Sequence, residues 1–299
     1  MSRVLVTGAS GFIGRHAVTA LAERGFEVHV AGRGSVPGVP LAATHRVDLL
    51  APDAADAVIR AVAPSHLVHL AWYDQPDAVW TSTENVRWVE ASLALVRAFA
   101  AAGGRRLVMA GTCAEYDWAH GFCSEGVTPL APATLYGRSK HALHTVVAGL
   151  ADECGLSLAW ARVFFVYGPH EHPSRLVAGL VRSLLGGEPA RLSEGSQLRD
   201  FLHVEDVGEA FAALADCDVK GPVNVGSGAP TSVRAIAELA GELTARPELL
   251  HFGAIPMRPG DPPLVLADRR RLATEVGFTP RFTLRAGLED TIAWWGEAT

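Results

Sequence analysis

The first half of the chain alternates short, almost continuous apolar runs with segments that have helical patterning. The apolar runs occupy residues 3–7, 27–31, 67–71, 106–110 and 158–163, and helices are predicted between them at 14–24, 54–63 and 83–102. Strands that are apolar along their whole length are typical of a parallel sheet covered by helices on both faces. Because crossovers between parallel strands are right-handed, we predict an α/β fold with a doubly wound parallel sheet.

A glycine-rich turn, Gly8-Ala9-Ser10-Gly11-Phe12-Ile13-Gly14, joins the first predicted strand to the first predicted helix. The first glycine permits a tight turn, the second lets the backbone approach a pyrophosphate, and the third lets helix and strand pack closely. Free N–H groups at the helix N-terminus also favour phosphate oxygens. Evenly spaced glycines alone are weak evidence, but at this point of an α/β pattern they predict a Rossmann dinucleotide site. We expect six residues of the turn to contact the cofactor: Gly8, Ser10, Gly11, Phe12, Ile13 and Gly14.

The end of the second predicted strand bears on which dinucleotide binds. NAD-selective sites usually have an acidic residue there, which binds the ribose 2′-hydroxyl. This chain has Ala31-Gly32-Arg33-Gly34-Ser35, without a carboxylate. Arg33 could instead bind a 2′-phosphate through two charge-assisted hydrogen bonds. NADP(H) is therefore favoured, and NAD(H) is the alternative if Arg33 is only a solvated loop residue.

The second half of the chain is less regular, because prolines and paired glycines divide it into short elements. We expect a helix at 203–215 and a short strand at 223–225 to return to the parallel sheet. Residues 1–166, together with 201–226, are therefore predicted to form an NADP-binding Rossmann domain. Residues 167–299 are predicted to form mostly a smaller substrate-binding lobe.

Composition narrows the class of protein. Hydrophobic residues make up 49% of the 299-residue chain and charged residues 19%, as in a globular protein. The formal net charge is -6 without a basic stripe, so nucleic acid is not expected as a partner. The four cysteines form no CxxC pair, the N-terminus lacks a signal-peptide pattern, and no apolar stretch reaches about 20 residues. We therefore expect a cytoplasmic protein with reduced thiols and no membrane span.

A tyrosine and a lysine stand four residues apart in Tyr136-Gly137-Arg138-Ser139-Lys140, which opens a helical stretch that runs to about residue 150. This spacing places both side chains on one helix face. A free phenol has a pKa of about 10, and a neighbouring ammonium is expected to lower the pKa of Tyr136 and make it a workable proton donor or acceptor. Thr112 could donate a hydrogen bond to the same substrate oxygen. The pattern is common by chance, but its place downstream of the glycine turn predicts that Thr112, Tyr136 and Lys140 are catalytic.

The chain resembles the extended short-chain dehydrogenase/reductase family almost end to end, in its branch of nucleotide-sugar epimerases, dehydratases and reductases. Besides the glycine turn and the Tyr-x-x-x-Lys pair, the resemblance rests on seven further motifs: Asp48-Leu49, His69-Leu70-Ala71, Asn85-Val86, Thr112-x-x-x-Tyr116, Tyr167-Gly168-Pro169, Arg199-Asp200-Phe201-x-His203-Val204-x-Asp206-Val207 and Asn224-Val225-Gly226-Ser227-Gly228. The combination is specific for the family and less specific for the reaction.

The resemblance implies further site residues. It matches Thr112, Tyr136 and Lys140 to the family's catalytic Ser/Thr, Tyr and Lys. Further cofactor contacts are expected from Asp48 and Leu49 near the adenine, from Leu70, Ala71 and Trp72 at a strand end, and from Tyr136, Lys140 and Val163. Arg199 and Arg258 match arginines that hold the diphosphate of a sugar nucleotide, and substrate contacts are expected from Thr112, Arg175, Arg199 and Arg258. A homodimer is implied through the helices that begin near Glu84 and Tyr136.

Departures from the family pattern narrow the reaction. In the 4,6-dehydratase branch, an Asp-Glu pair follows the catalytic Thr, whereas Cys113 and Ala114 stand here. Dehydration is therefore not expected. In the epimerase/reductase that makes nucleotide-linked fucose, a Cys two residues beyond the Ser shuttles protons, and here that position is Ala114. Glu115 and Asp117 are expected to be structural or solvated.

The remaining reaction of the family is hydride transfer at one carbinol carbon. It is catalysed either by a reductase or by a redox-neutral 4-epimerase with tightly bound NAD(P). Gly32-Arg33 favours an NADPH reductase that acts at C4 of a nucleotide-linked 4-keto-6-deoxy sugar, with Tyr136 as proton donor. A non-catalytic NADP(H)-binding regulator would be expected to lose the Tyr–Lys pair. A reductase of non-nucleotide carbonyls is disfavoured by Arg199 and Arg258.

Two further points concern the second half. Phe165 stands where the family usually has an Asn that helps to hold the substrate diphosphate, which leaves the substrate's pose open. His170-Glu171-His172 resembles a metal-binding pattern, but a loop HxH without further ligands is more often solvated, and no metal is expected.

Overall fold

The computed structural model describes residues 2–34, 36, 38–39, 41–76 and 78–298. Numbered along the chain, its strands are β1 (Arg3–Thr7), β2 (Glu27–Gly32), β3 (Ala43–Arg46), β4 (His66–His69), β5 (Arg106–Thr112), β6 (Phe122–Cys123), β7 (Ser157–Val163), β8 (Phe165–Tyr167), β9 (Ala190–Arg191), β10 (Leu198–His203), β11 (Gly221–Val225), β12 (Pro230–Ser232), β13 (Leu250–His251) and β14 (Leu264–Ala267). Its helices are α1 (Phe12–Glu23), α2 (Ala54–Val62), α3 (Glu84–Ala101), α4 (Leu135–Cys154), α5 (Leu176–Leu185), α6 (Val204–Ala215), α7 (Val233–Leu243), α8 (Arg270–Thr274) and α9 (Leu284–Ala298).

The main sheet has seven parallel strands in the order β11-β7-β5-β4-β1-β2-β3. From β1 the chain first proceeds to β2 and β3 on one side and then returns to β4 and the later strands on the other. The carboxyl ends of β1 and β4 therefore border a topological switch point, where α/β sheets bind their ligands. The predicted α/β fold with a doubly wound parallel sheet is confirmed.

Apolar cores cover both faces of this sheet, as the nearly continuous apolar strands require. Side chains alternate between the faces along each strand, so Val4 and Val6 of β1 enter one core and Leu5 enters the other. The first core includes residues of α1 and α6, and the second includes residues of α2, α3 and α4. The sequence pattern of the strands thus follows from burial on two sides.

Two elements from the second half of the chain lie against the main sheet. β11 pairs with β7 in parallel, and α6 packs on α1. Gly208 permits this close packing, because a Cβ there would lie 2.6 Å from the backbone carbon of His16. The helix begins at Val204 rather than at residue 203, since His203 ends β10.

The remaining strands form a second sheet, in the order β12-β10-β14-β6 with β8 beside β10, and a short β9–β13 pair. An apolar cluster joins α5, α7 and α9 next to it. β6 comes from residues 122–123, so the second sheet includes residues that precede 167 in the chain. No helix in the described part of the chain is long and apolar enough to cross a membrane.

Some strand boundaries differ from those predicted. The strand expected at 67–71 ends at His69, which pairs with Thr7 of β1, and beyond it the N–H of Ala71 donates to the side-chain hydroxyl of Thr7 at 3.4 Å instead of to a backbone carbonyl. The strand expected to end at residue 110 continues to Thr112. β3 was not predicted, since Ala43–Arg46 lacks an apolar run and lies at the sheet edge.

Candidate active site

A cleft of about 1270 Å³ opens at the carboxyl ends of the main strands and extends to the smaller lobe. It brings together all the residues that the sequence assigned to the site, although they come from many elements. These residues are Gly8, Ser10, Gly11, Phe12, Ile13, Gly14, Arg33, Asp48, Leu49, Leu70, Ala71, Trp72, Thr112, Tyr136, Lys140, Val163, Arg175, Arg199 and Arg258. Their individual roles stay predictions.

The glycine turn has the geometry of a phosphate cradle. Gly8 has a φ of +74°, and a Cβ there would lie 2.6 Å from the backbone nitrogen of Ala71. A Cβ on Gly14 would overlap the carbonyl oxygen of Gly8, whereas one on Gly11 would lie 3.1 Å from that atom. Gly11 caps α1 without any side-chain hydrogen bond, so the first N–H groups of the helix are available to a ligand. This turn fits the pyrophosphate of a dinucleotide.

Arg33 follows β2 and is exposed at the cleft. Its side chain makes no hydrogen bond or ion pair with any other described residue, so the guanidinium is available to an anion. Across the cleft margin, Gly34 lies close to Ser10, since a Cβ on Gly34 would be 3.0 Å from the Ser10 hydroxyl. Asp48 is also exposed, and one of its carboxylate oxygens accepts a hydrogen bond from the N–H of Leu50 at 3.1 Å.

Tyr136 lies in the first turn of α4, and its side chain is hydrogen-bonded to Thr112 at the end of β5. Its ring lies edge-on to Trp80, with centroids 5.6 Å apart, and its N–H donates to the Trp80 carbonyl oxygen at 3.2 Å. Burial raises the pKa of the phenol to about 12, and a hydrogen bond from Thr112 opposes that rise only in part. The phenol therefore carries its proton at neutral pH. This corrects our expectation that the structure would lower the pKa of Tyr136.

Lys140 does not offset this effect of burial on Tyr136, because its ammonium is engaged elsewhere. Its ammonium donates to the Ala110 carbonyl oxygen at 2.8 Å and stands 3.7 Å from the centroid of the Trp72 ring. Burial lowers the pKa of Lys140 to about 7, against a smaller opposing effect of Glu115. The ammonium is thus held by a carbonyl and an indole, and it is only partly charged near neutrality. The contact with Trp72 could not be predicted from the sequence pattern.

A buried network fixes Thr112 from behind. Glu115 is fully buried, and its Oε1 accepts from the N–H of Thr112 and from Nε1 of Trp160, each at 2.9 Å. Its Oε2 pairs with Nε of Arg162 at 3.1 Å, and Arg162 also donates to the Tyr116 hydroxyl at 3.0 Å. Gly111 leaves room for this network, because a Cβ there would lie 2.7 Å from Glu115 Oε1. Glu115 therefore has the structural role that we expected.

The residues beside Thr112 give no proton shuttle. Cys113 is buried, and burial raises the pKa of its thiol well above the ordinary value. Asp117 caps a short 3-10 turn by accepting from the N–H of Ala119 at 3.0 Å. Ala114 has no functional group. The exclusion of dehydration stays a prediction.

The three arginines that are predicted to contact the substrate differ in their freedom. Arg199 is 5% exposed and donates to Asp261 at 2.7 Å and to the carbonyl oxygens of Leu198 and Pro262, each at 2.8 Å. These bonds hold the segment that carries Arg258 against β10. The side chains of Arg175 and Arg258 make no hydrogen bond or ion pair with another described residue. Two of the predicted substrate contacts are therefore free, and the third is already committed to the fold.

Aromatic side chains line much of the cleft between the cradle and the arginines. They are Trp72, Trp80, Trp118, Phe164, Phe165 and Phe201. The Phe165 ring centroid lies 5.6 Å from the Arg199 guanidinium carbon and 5.9 Å from the Phe201 ring centroid. Phe165 thus supplies an apolar wall at the position where an amide is usual in the family. The sequence identified this departure but missed the aromatic lining as a whole.

The Asp200 carboxylate of the Arg-Asp-Phe motif is structural. It accepts from the backbone N–H groups of Ser227, Gly228 and Ala267, at 2.6 to 3.0 Å, and it is fully buried. It therefore ties β10 to β14 and to the segment after β11. This part of the motif therefore stabilises the fold next to the cleft.

One set of described residues, Glu115, His141 and His144, has ligand atoms within 4.8 Å of one another. Both carboxylate oxygens of Glu115 already accept hydrogen bonds, and the Arg162 cation is paired with one of them. A second cation there would be repelled. In the loop predicted to be solvated, His170 contacts Arg15 at 3.1 Å and His172 contacts Ser174 at 2.9 Å. The absence of a metal stays a prediction.

Comparison with known proteins identifies the family to which this chain belongs. The profile of the NAD dependent epimerase/dehydratase family matches residues 4–226. The chain is 29% identical to a dTDP-4-dehydro-6-deoxy-D-allose reductase of Streptomyces bikiniensis, over 99% of this chain and 97% of the relative. It is 27% identical to a UDP-glucose 4-epimerase of Corynebacterium glutamicum, over 98% and 94%. The structure of MoeE5 in complex with UDP-glucose and NAD has a TM-score of 0.86 at 34% identity, over 99% of both chains. The chain therefore belongs to the NAD dependent epimerase/dehydratase family, which is of the short-chain dehydrogenase/reductase type.

Proposed function

We propose that this protein is an NADPH-dependent ketoreductase that reduces the C4 carbonyl of a nucleotide-linked 4-keto-6-deoxy sugar. The observation that carries the proposal is Arg33 at the end of β2, which is exposed at the cleft without a described partner and suits the 2′-phosphate of NADPH. Reduction of a ketone needs a proton donor, whereas a reaction that begins with oxidation of an alcohol needs a base. Because burial keeps the phenol of Tyr136 protonated at neutral pH, its proton is present for the first task.

The cofactor is assigned from the residues that can hold it. The cradle formed by Gly8, Gly11 and Gly14 suits the pyrophosphate, and the unpaired Arg33 suits a 2′-phosphate. Bound NADPH supplies the hydride for the ketone carbon. NAD(H) is the alternative, since MoeE5 binds NAD.

The residues of this chain carry the proton chemistry. Tyr136 donates its proton to the C4 oxygen, and Thr112 donates a hydrogen bond that orients this oxygen. Lys140 holds the nicotinamide ribose and, when charged, stabilises the phenolate that remains on Tyr136. Arg175 and Arg258 bind the diphosphate, with Arg199 keeping the Arg258 segment in place.

The relatives support a nucleotide-sugar substrate without separating the reactions. They include 4-keto sugar reductases, 4-epimerases and UDP-glucuronic acid decarboxylases at similar identities. The second candidate is a nucleotide-sugar 4-epimerase, and the observation in its favour is the 27% identity to the UDP-glucose 4-epimerase of Corynebacterium glutamicum over almost the whole chain. A non-catalytic NADP(H)-binding regulator is disfavoured, since the Tyr136–Lys140 pair is intact.

Cofactor consumption distinguishes the two enzymes. The reductase is expected to oxidise one added NADPH for each product formed, and Tyr136→Phe should lose nearly all turnover while NADPH still binds. A 4-epimerase would turn over without added cofactor and copurify with it. Arg33→Ala should raise KM for NADPH more than KM for NADH, and an unchanged NADPH preference would contradict the assignment of Arg33.

We also propose the quaternary structure and domain division that the sequence suggested. Val86 on α3 and Val146 on α4 are 45% and 54% exposed, which suits a homodimer through these two helices. Residues 1–166 with 201–226 would form the NADP-binding domain of a cytoplasmic protein, and 167–299 mostly the substrate lobe. Sedimentation at several protein concentrations, with Val146→Glu as the comparison, tests the dimer.

A further inference from the structure

The carboxyl group of Glu171 lies in the cleft wall and has no role in the proposed reaction. It lies in the segment between β8 and α5, lines the cleft and is 6% exposed. Its Oε2 accepts a hydrogen bond from the N–H of Ala178 at 3.0 Å. Its Oε1 has no hydrogen-bond partner among the described residues, and no described cation lies within ion-pair distance of the carboxyl. A buried acid with one oxygen left over can bind a ligand.

We propose that Glu171 is a specificity-determining residue that binds the substrate as an un-ionised carboxylic acid, with Oε1–H donating a hydrogen bond to an oxygen of the sugar. This inference rests on the proposed function in taking the cleft to bind a sugar nucleotide with its sugar next to Tyr136. It requires neither hydride transfer nor a particular sugar. An un-ionised acid both donates and accepts hydrogen bonds, and it does not repel the diphosphate as a carboxylate would.

The position of Arg175 places Glu171 at the sugar end of the cleft. The positive charge of Arg175 lowers the pKa of Tyr136 and also that of Glu171, so Arg175 lies close to both. Tyr136 is where the reacting carbon must sit in the proposed reaction. Since Arg175 is proposed to bind the diphosphate and Tyr136 to meet the reacting carbon, the sugar lies between them and is the ligand group proposed to contact Glu171.

The surroundings of Glu171 favour the un-ionised form. Burial raises its pKa to about 8, although the Ala178 N–H and the Arg175 charge both act to lower it. The nearby histidines have other contacts, since His170 meets Arg15 of α1 and Trp294 of α9, and His172 meets Ser174. With a pKa near 8, the protonated form of Glu171 outnumbers the ionised form by roughly ten to one at pH 7. Above pH 8 it ionises and loses its donor.

Two substitutions separate hydrogen bonding from structural support. Glu171→Gln cannot ionise, yet its amide still accepts from Ala178 and still donates through its NH₂ group. Glu171→Ala removes both functions. Glu205→Gln is the control, because burial also raises the pKa of Glu205 but this residue pairs with Arg281 outside the cleft. All variants are compared with the full-length wild type.

The measurement is kcat/KM for the nucleotide sugar between about pH 6 and pH 10, expressed as the ratio of wild type to Glu171→Gln. Effects of Lys140 and Tyr136 are common to both proteins and cancel in this ratio. The ratio should be constant below pH 7, fall around pH 8 and level off roughly tenfold lower by pH 10. Glu171→Ala should lose roughly tenfold in kcat/KM at pH 7, and Glu205→Gln should follow the wild type throughout.

A constant ratio from pH 6 to pH 10 would overturn the proposal, as would wild-type kcat/KM in Glu171→Ala. If Glu171 only supports α5, Glu171→Ala would lower the melting temperature, but the ratio would not change with pH. If the wild type oxidises no NADPH, the proposed function fails separately. The dissociation constant of UDP-glucose, measured over the same pH range by titration calorimetry, then gives the same ratio and decides the role of Glu171.

Discussion

The buried ion pair between Glu115 and Arg162 offers a prediction whose size follows from the structure. Both side chains are at most 1% exposed, and Nε of Arg162 lies 3.1 Å from Glu115 Oε2. Glu115→Gln preserves the shape of the side chain and an oxygen for the N–H groups of Thr112 and Trp160. It places an NH₂ group against the guanidinium, so the Arg162 charge loses its counter-ion inside the protein.

The expected cost is large. Removing one partner of a buried pair typically destabilises a protein by about 3 to 5 kcal/mol, because an uncompensated charge remains. Replacing both partners with uncharged residues of similar volume is often nearly neutral. The double variant Glu115→Gln, Arg162→Met should therefore recover at least about 2 kcal/mol relative to Glu115→Gln alone. The recovery is partial because Arg162 also donates to Tyr116.

Urea unfolding followed by tryptophan fluorescence measures these free energies, and Trp160 reports on the network itself. An unchanged denaturant dependence confirms that the variants unfold from a comparable native state. The reasoning would be refuted if Glu115→Gln cost less than about 1 kcal/mol, or if the double variant were no more stable than the single one.

Three further predictions concern the cradle, the lysine and a buried histidine. Gly14→Ala should destabilise the fold by at least about 2 kcal/mol, because its Cβ would overlap the Gly8 carbonyl. Gly11→Ala should fold normally but bind NADPH at least about tenfold more weakly. The rate of acetylation of Lys140 should reach half its maximum near pH 7, with exposed Lys220 as internal reference. Burial lowers the pKa of His16 to about 4, so its stabilising contribution, up to about 3 kcal/mol, is present above pH 6.5 and lost as the pH falls to 4.

Each of these has an outcome that contradicts it. Equal melting temperatures for Gly14→Ala and Gly11→Ala would show that the packing of helix and strand does not require Gly14. Acetylation of Lys140 that still rises steeply above pH 9 would show that its amine is not held in a buried, weakly basic form. For His16→Gln, urea unfolding at pH 7 and at pH 4.5 should show a smaller difference than in the wild type. An equal difference would assign the pH dependence to other groups.

The sequence was informative where short-range patterns express the fold. The glycine turn and the Tyr136–Lys140 spacing each lie within a few residues, and the main strands are apolar along their length because both faces are buried. These patterns predicted the doubly wound sheet and a set of residues that share one cleft. β3, β6 and the short strands of the smaller lobe lack such patterns, because few of their side chains enter a core.

The electrostatics of the site could not be predicted, because they depend on contacts between residues distant in sequence. Glu115 and Arg162 are 47 residues apart, and the ring on which the Lys140 ammonium rests belongs to the segment after β4. Burial, rather than the nearest charge, sets the pKa of Tyr136, and spacing along a helix carries no information about burial by other elements. The same holds for Glu171, which the sequence presented only as the middle of a His-x-His loop.

Hydride transfer to the sugar is the central claim, and isotope transfer tests it most directly. The wild-type protein is incubated with NADPH deuterated at C4 of the nicotinamide and a panel of nucleotide-linked 4-keto-6-deoxy sugars, and the products are analysed by NMR. The account predicts one deuterium at C4 of the reduced sugar, one NADPH oxidised per product, and neither with Tyr136→Phe. If the 4-keto sugars stay unreduced without loss of NADPH, and added UDP-glucose is instead inverted at C4 without deuterium, the claim is contradicted.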